Sequence, residues 1–79
     1  MKINLKYFGM VTEIAAKNME ELLIEEGINS KDLCQSLEEK YKALTKIDYR
    51  IAVNENLIID SIQLKENDIV AILPPFSGG

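Results

Sequence analysis

Histidine and tryptophan are absent from this chain of 79 residues, which holds one cysteine, two prolines and four glycines. Without histidine it lacks the commonest general base at neutral pH. A single thiol closes no internal disulfide, and a zinc site needs several nitrogen or sulfur ligands. These absences count against a free-standing enzyme and against a metal site. No apolar run approaches the roughly 20 residues that cross a bilayer. Residues 1–6 alternate polar and apolar, as a strand does and a secretory signal does not. A cytoplasmic location without membrane contact is therefore expected. Basic charge is also short, with 9 Lys and Arg against 13 Asp and Glu and a net charge of −4. Nucleic acid rewards clustered cations, so it is a poor partner, and proteins or basic surfaces are expected instead. What remains is 47% hydrophobic and 28% charged, the composition of one small globular domain.

Residues 3–8 alternate, with Ile3, Leu5 and Tyr7 on one face and Asn4, Lys6 and Phe8 on the other, so a strand is expected with Phe8 turned from the core. Gly9 breaks it. Met10 to Lys17 carries Val11, Ile14 and Ala15 at helical spacing with Glu13 and Lys17 at i,i+4, and Asn18 suits the left-handed residue closing a short helix. A second strand is expected over 19–25, ended by Gly27. Asn29 and Asp32 then have the spacing of a capping box, and Ile28 and Leu33 that of a hydrophobic staple. Leu33, Leu37, Tyr41 and Leu44 recur as one apolar stripe, which predicts a helix over 30–44. Strands follow at 49–53, 57–60 and 69–73, separated by turns at Asn54-Glu55-Asn56 and Lys65-Glu66-Asn67-Asp68.

The first and last strands are the most apolar and are placed side by side in the sheet centre. The order β, short α, β, α, β, β, β predicts an α+β architecture. It is a β-grasp, ubiquitin-like roll of about five strands in a mixed sheet on one main helix. The far face of such a sheet is open, and Phe8, Leu57 and Leu73 are the expected docking patch there.

The chain ends Pro74-Pro75-Phe76-Ser77-Gly78-Gly79, directly after the apolar run Ile69 to Leu73. The two prolines remove N–H donors and stiffen the exit from the strand. Glycine is used where backbone must come close to another surface. Six extended residues reach at most about 20 Å. Residues 1–73 are thus expected to be the folded domain and 74–79 a flexible tail entering a narrow slot on a partner. Its reactive group would be the Gly79 carboxylate. Ser77 reads as a small spacer, not a nucleophile. Cys34 falls at the core edge of the main helix and reads as a small hydrophobe.

The run Asn67 to Gly79 resembles the C-terminus of the small subunit of molybdopterin synthase, the MoaD family. Phe8 to Glu13 and Ala52-Val53-Asn54 resemble that family's first strand-to-helix step and central hairpin, so the likeness covers essentially the whole chain. Thr12 stands where the family often has arginine, which bears on one contact with the large subunit, and Asn67 stands where glycine is frequent. The resemblance implies a sulfur carrier that binds no cofactor itself. Gly79 would be adenylated with ATP by a ubiquitin-activating-type adenylyltransferase and converted to a thiocarboxylate. Sulfur would pass to cyclic pyranopterin monophosphate inside the large subunit, in a hetero-oligomer. The alternatives are a carrier for thiamine or cysteine synthesis, and a ubiquitin-like modifier joined to lysines through Gly79.

Overall fold

Period-2 alternation gives the first strand, β1 (Lys2–Tyr7), in which Ile3, Leu5 and Tyr7 are buried and their neighbours are not. A computed structural model of the protein describes residues 1–75. The remaining elements are α1 (Met10–Ala15), β2 (Met19–Leu23), α2 (Ser30–Lys40), a 3-10 turn at Lys42–Lys46, β3 (Arg50–Val53), β4 (Asn56–Leu57) and β5 (Ile69–Leu73). These residues form one five-stranded sheet in the order β2-β1-β5-β3-β4. β1 and β5 run parallel, and every other pair is antiparallel. The expected mixed sheet with β1 beside β5 is the observed one, and the fold is a β-grasp, ubiquitin-like roll.

The core lies between one sheet face and α2. Ile3, Leu5, Val70 and Ile72 are fully buried on the sheet, and Leu33, Leu37 and Leu44 reach them from the helical side. Burying side chains of this size stabilises by about 1.5–3 kcal/mol each. α2 begins as its sequence implies. Asp32 N donates to Asn29 Oδ1 at 2.8 Å, and Asn29 N donates to Asp32 Oδ2 at 3.3 Å, closing the capping box.

Several boundaries differ from the sequence expectation. α2 stops at Lys40, not at residue 44, because Tyr41 leaves helical geometry with φ −120° and ψ 85°. There its hydroxyl reaches Glu20 on β2, and the 3-10 turn still delivers Leu44 to the core. α1 closes at Ala16, which takes the left-handed φ of 61° assigned above to Asn18. Asn18 instead accepts the Tyr7 N–H through its backbone carbonyl. With the helix ended, Lys17 bonds Glu20 and not Glu13. The strand expected at 57–60 is only Asn56–Leu57. Past Ile58 the chain turns away to lay Ile62 N on the buried Ser30 hydroxyl at 3.0 Å.

Two turns use left-handed residues that are not glycine. Asn54 and Glu55, at φ 50° and 72°, join β3 to β4, the pair of positive values that suits a two-residue hairpin. Asn67, at φ 68°, turns the chain into β5 and takes the backbone for which glycine is usual. Asp68 fastens that turn, accepting from Lys65 N at 2.7 Å and Asn54 Nδ2 at 2.9 Å. No helix among the described residues is long and apolar enough to cross a membrane.

Candidate functional site

β5 is a central strand whose C-terminal end passes beside the turn between β1 and α1. The parallel register Tyr7↔Ile72 brings Phe8 alongside Leu73, and Phe8 N donates to Ile72 O at 3.3 Å. Immediately after Leu73, Pro74 lies across Gly9. A Cβ built on Gly9 would stand 2.9 Å from Pro74 Cγ, and Gly9 has φ +53°. Gly9 is required there twice, for the close approach and for the backbone angle. Thr12 secures the same turn by donating its hydroxyl to Tyr7 O at 3.1 Å. Thr12 is thus turned inward, onto the strand end. Gly9 was legible only as a strand breaker. Its contact with Pro74 depends on the parallel pairing of β1 and β5, which no local pattern records.

The sheet face away from α2 is uncovered among the described residues. Phe8 is 45% exposed, Leu57 is 56% exposed and Leu73 is half-buried. Phe8 and Leu73 are neighbours at the exit of β5. Leu57 shares the face but stands apart from them, opposite Ala52, which in turn faces Ala71. Met19, Leu23 and Ile69 are also exposed on this side. Two shallow grooves of about 420 and 430 Å³ meet at Lys6 and Met19. The expected site residues Pro74 and Pro75 continue from Leu73, Pro74 half-buried and Pro75 exposed. Phe76, Ser77, Gly78 and Gly79 lie outside the described residues.

Over residues 5–79 the chain matches the profile of the ThiS family. It belongs to the ThiS family. It is 31% identical to the molybdopterin synthase sulfur carrier subunit of Chlamydomonas reinhardtii, with all of both chains aligned. Among solved structures it is similar to the small archaeal modifier protein 1 of Methanosarcina acetivorans. That match has 28% identity and a TM-score of 0.76, covering 99% of this chain and 96% of the other. It is also similar to a chain of the complex between subunits 1 and 2 of the molybdopterin-converting factor of Helicobacter pylori. There the identity is 26% and the TM-score 0.71, with both chains fully covered.

In this ThiS-family chain several titratable groups of the described residues build structure. Glu20 on β2 is the largest such centre. Its Oε1 accepts from the Tyr7 hydroxyl at 2.6 Å and the Tyr41 hydroxyl at 3.1 Å, and its Oε2 from Lys40 Nζ at 2.8 Å and Lys17 Nζ at 3.4 Å. Burial alone would raise its pKa, but the Lys40 ammonium and the two hydroxyls outweigh burial and hold it at about 2. Tyr7 and Tyr41 meet edge to face with centroids 6.1 Å apart, which ties the β2 edge to the end of α2. No sequence pattern announced this cluster, because its members come from four separate segments.

Cys34 is half-buried on α2 in a groove of about 320 Å³ with Lys31, Tyr49 and Asp60. Burial pushes its thiol above the ordinary range, which the Tyr49 hydroxyl only partly offsets. A thiol so placed is a weak nucleophile at neutral pH.

Proposed function

We propose that this chain is the sulfur carrier subunit of a molybdopterin synthase, with the Gly79 carboxylate as its working group. The observation that carries the reading is the full-length, 31% identical relative of that name, taken with the Pro74-Pro75-Phe76-Ser77-Gly78-Gly79 ending. The Helicobacter pylori structure, a complex of two subunits, supports a large-subunit partner.

The chemistry follows from the poverty of the chain. A carboxylate is inert to nucleophiles until one oxygen becomes a good leaving group. An adenylyltransferase supplies this by joining the Gly79 carboxylate to the AMP portion of ATP with loss of pyrophosphate. The terminal sulfur of a donor persulfide then displaces AMP, and a thiol cleaves the S–S bond to leave the thiocarboxylate. The large subunit provides the acids, bases and oxyanion donors for transfer to cyclic pyranopterin monophosphate. This chain contributes a slim acyl group on a proline-stiffened stem, and Pro74 against Gly9 fixes where that stem begins. Residues 1–73 act as the folded body and 74–79 as the reactive tail.

The 28% identical archaeal modifier protein favours a second reading, in which Gly79 forms an amide with target lysines. One reconstitution separates the two. The chain is incubated with ATP, adenylyltransferase, sulfur donor, large subunit and pterin precursor, with and without Gly79. Sulfuration by the full chain alone supports the carrier. Equal sulfuration by the truncated chain overturns it, and conjugates that survive reducing denaturation identify the modifier.

A further inference from the structure

The net charge of −4 suggests a basic partner, but the charge is not evenly spread. On the outer sheet face and the strand ends that frame it, the cations are Lys2, Lys6 and Arg50. Among the described residues the carboxylates beside them are Glu21, 3.8 Å from Lys2 Nζ, Asp48, 2.6 Å from Arg50, and Glu66, whose Oε1 accepts from Lys2 N at 3.1 Å. Lys6 makes no ion pair among the described residues. The other acidic side chains belong to α1, α2, the loops and the Glu20 cluster. The strand residues of this face therefore carry three cations, Lys2, Lys6 and Arg50, against one carboxylate, Glu21, although the protein is acidic. The two cations nearest the tail exit are Lys6 and Arg50.

Arg50 is the one arginine of the chain, and it stands directly opposite Leu73, the last strand residue before Pro74. Only its Nη1 is used, donating to Asp48 Oδ1 and, at 3.3 Å, to Tyr49 O. Nε and Nη2 make no bond to a described residue. Those two atoms form the edge of the guanidinium that takes a carboxylate through two parallel hydrogen bonds. The pair with Asp48 does not block this, because both side chains are well exposed and such pairs hold weakly. Lys6 lies on the same face, opposite Ala71, two residues before Leu73.

We propose that the protein receiving the tail presents a carboxylate to the Nε/Nη2 edge of Arg50, with Lys6 as a second cation. The apolar strip of Phe8, Leu73 and Ala71 would lie between those two contacts. This rests on the carrier reading, with the synthase large subunit as the occupant, and it names the chemistry of the surface that subunit must offer. Charge at such a rim steers association and fixes orientation, and here it would set the direction in which the tail enters.

The test is the affinity of the cognate large subunit for the wild-type chain and for Arg50→Ala, Arg50→Lys and Lys6→Ala, measured by calorimetry at low and high salt. Arg50→Ala should weaken binding about tenfold or more, and its affinity should fall less steeply with salt than the wild type's. Arg50→Lys keeps the charge without the fork and should recover only part of the loss. Lys6→Ala should cost about threefold. Thermal unfolding should be unchanged in all three variants, since the side chains are exposed. Arg50→Ala binding within twofold of wild type, with the same salt dependence, overturns this inference and leaves the carrier reading standing. A wild-type chain that does not bind the large subunit overturns both.

Discussion

Replacing Glu20 by glutamine removes one charge and almost no volume from a carboxylate that accepts from two tyrosines and two lysines. The Glu20 pKa moves from 4.5 to about 2 on folding, which corresponds to about 3 kcal/mol at about 1.4 kcal/mol per unit. The Lys17 and Lys40 side chains are 42% and 48% exposed, so water screens much of their share. We therefore expect Glu20→Gln to cost about 1.5–2 kcal/mol at pH 7, a fall in Tm of roughly 6–16 °C for a domain of this size. Because the folded-state pKa lies below the unfolded value, the stabilisation is fully present above about pH 4.5. It is lost as pH falls from there towards 2. Urea titrations of both proteins from pH 7 to pH 2 should show a gap that stays constant to about pH 5 and then closes. A gap that persists undiminished at pH 2, or one below about 0.5 kcal/mol at pH 7, would refute the assignment of charge to this cluster.

Gly9→Ala should destabilise by about 1–3 kcal/mol, from a positive φ and a contact with Pro74. Adding Pro74→Ala should restore the contact part alone, and chemical denaturation of the two single variants and the double variant measures the coupling. Cys34→Ser should leave sulfur transfer unchanged, because Cys34 is half-buried on α2 with a raised pKa and the proposed carrier function assigns the chemistry to Gly79. Alkylation of Cys34 at pH 7 should be slower than that of a model thiol, the direction its raised pKa requires, and equal or faster alkylation would contradict it.

Much of this architecture was written locally. The alternation in residues 3–8, the Asn29–Asp32 box and the asparagines at the two turns each fix their own backbone, and each is found where its chemistry places it. The failures share a cause. Tyr41 continues the apolar stripe of α2 and so reads as helical, yet its hydroxyl is worth more against Glu20, a residue 21 positions away. Ala16 carries no sign of left-handed backbone. It takes that shape because the chain must return at once into β2, where Asn18 already pairs with Tyr7. Leu57 looked like part of a patch with Phe8 and Leu73, but Ala52 and Ala71 lie between them across the sheet. Total charge likewise hid the two cations beside the tail exit, since only the strand register shows that Lys6 and Arg50 point the same way as Leu73. Of the candidate site, the stem at Pro74 could be read from sequence, whereas its seat on Gly9 needed the fold.

The measurement closest to the central claim is the intact mass of the chain after incubation with ATP, the adenylyltransferase and a sulfur donor, followed by fragmentation of the C-terminal peptide. Replacement of one oxygen by sulfur is expected, located on Gly79 and absent when ATP is withheld. Sulfur found on Cys34, or a Gly79 carboxylate that stays unchanged under these conditions, would contradict it.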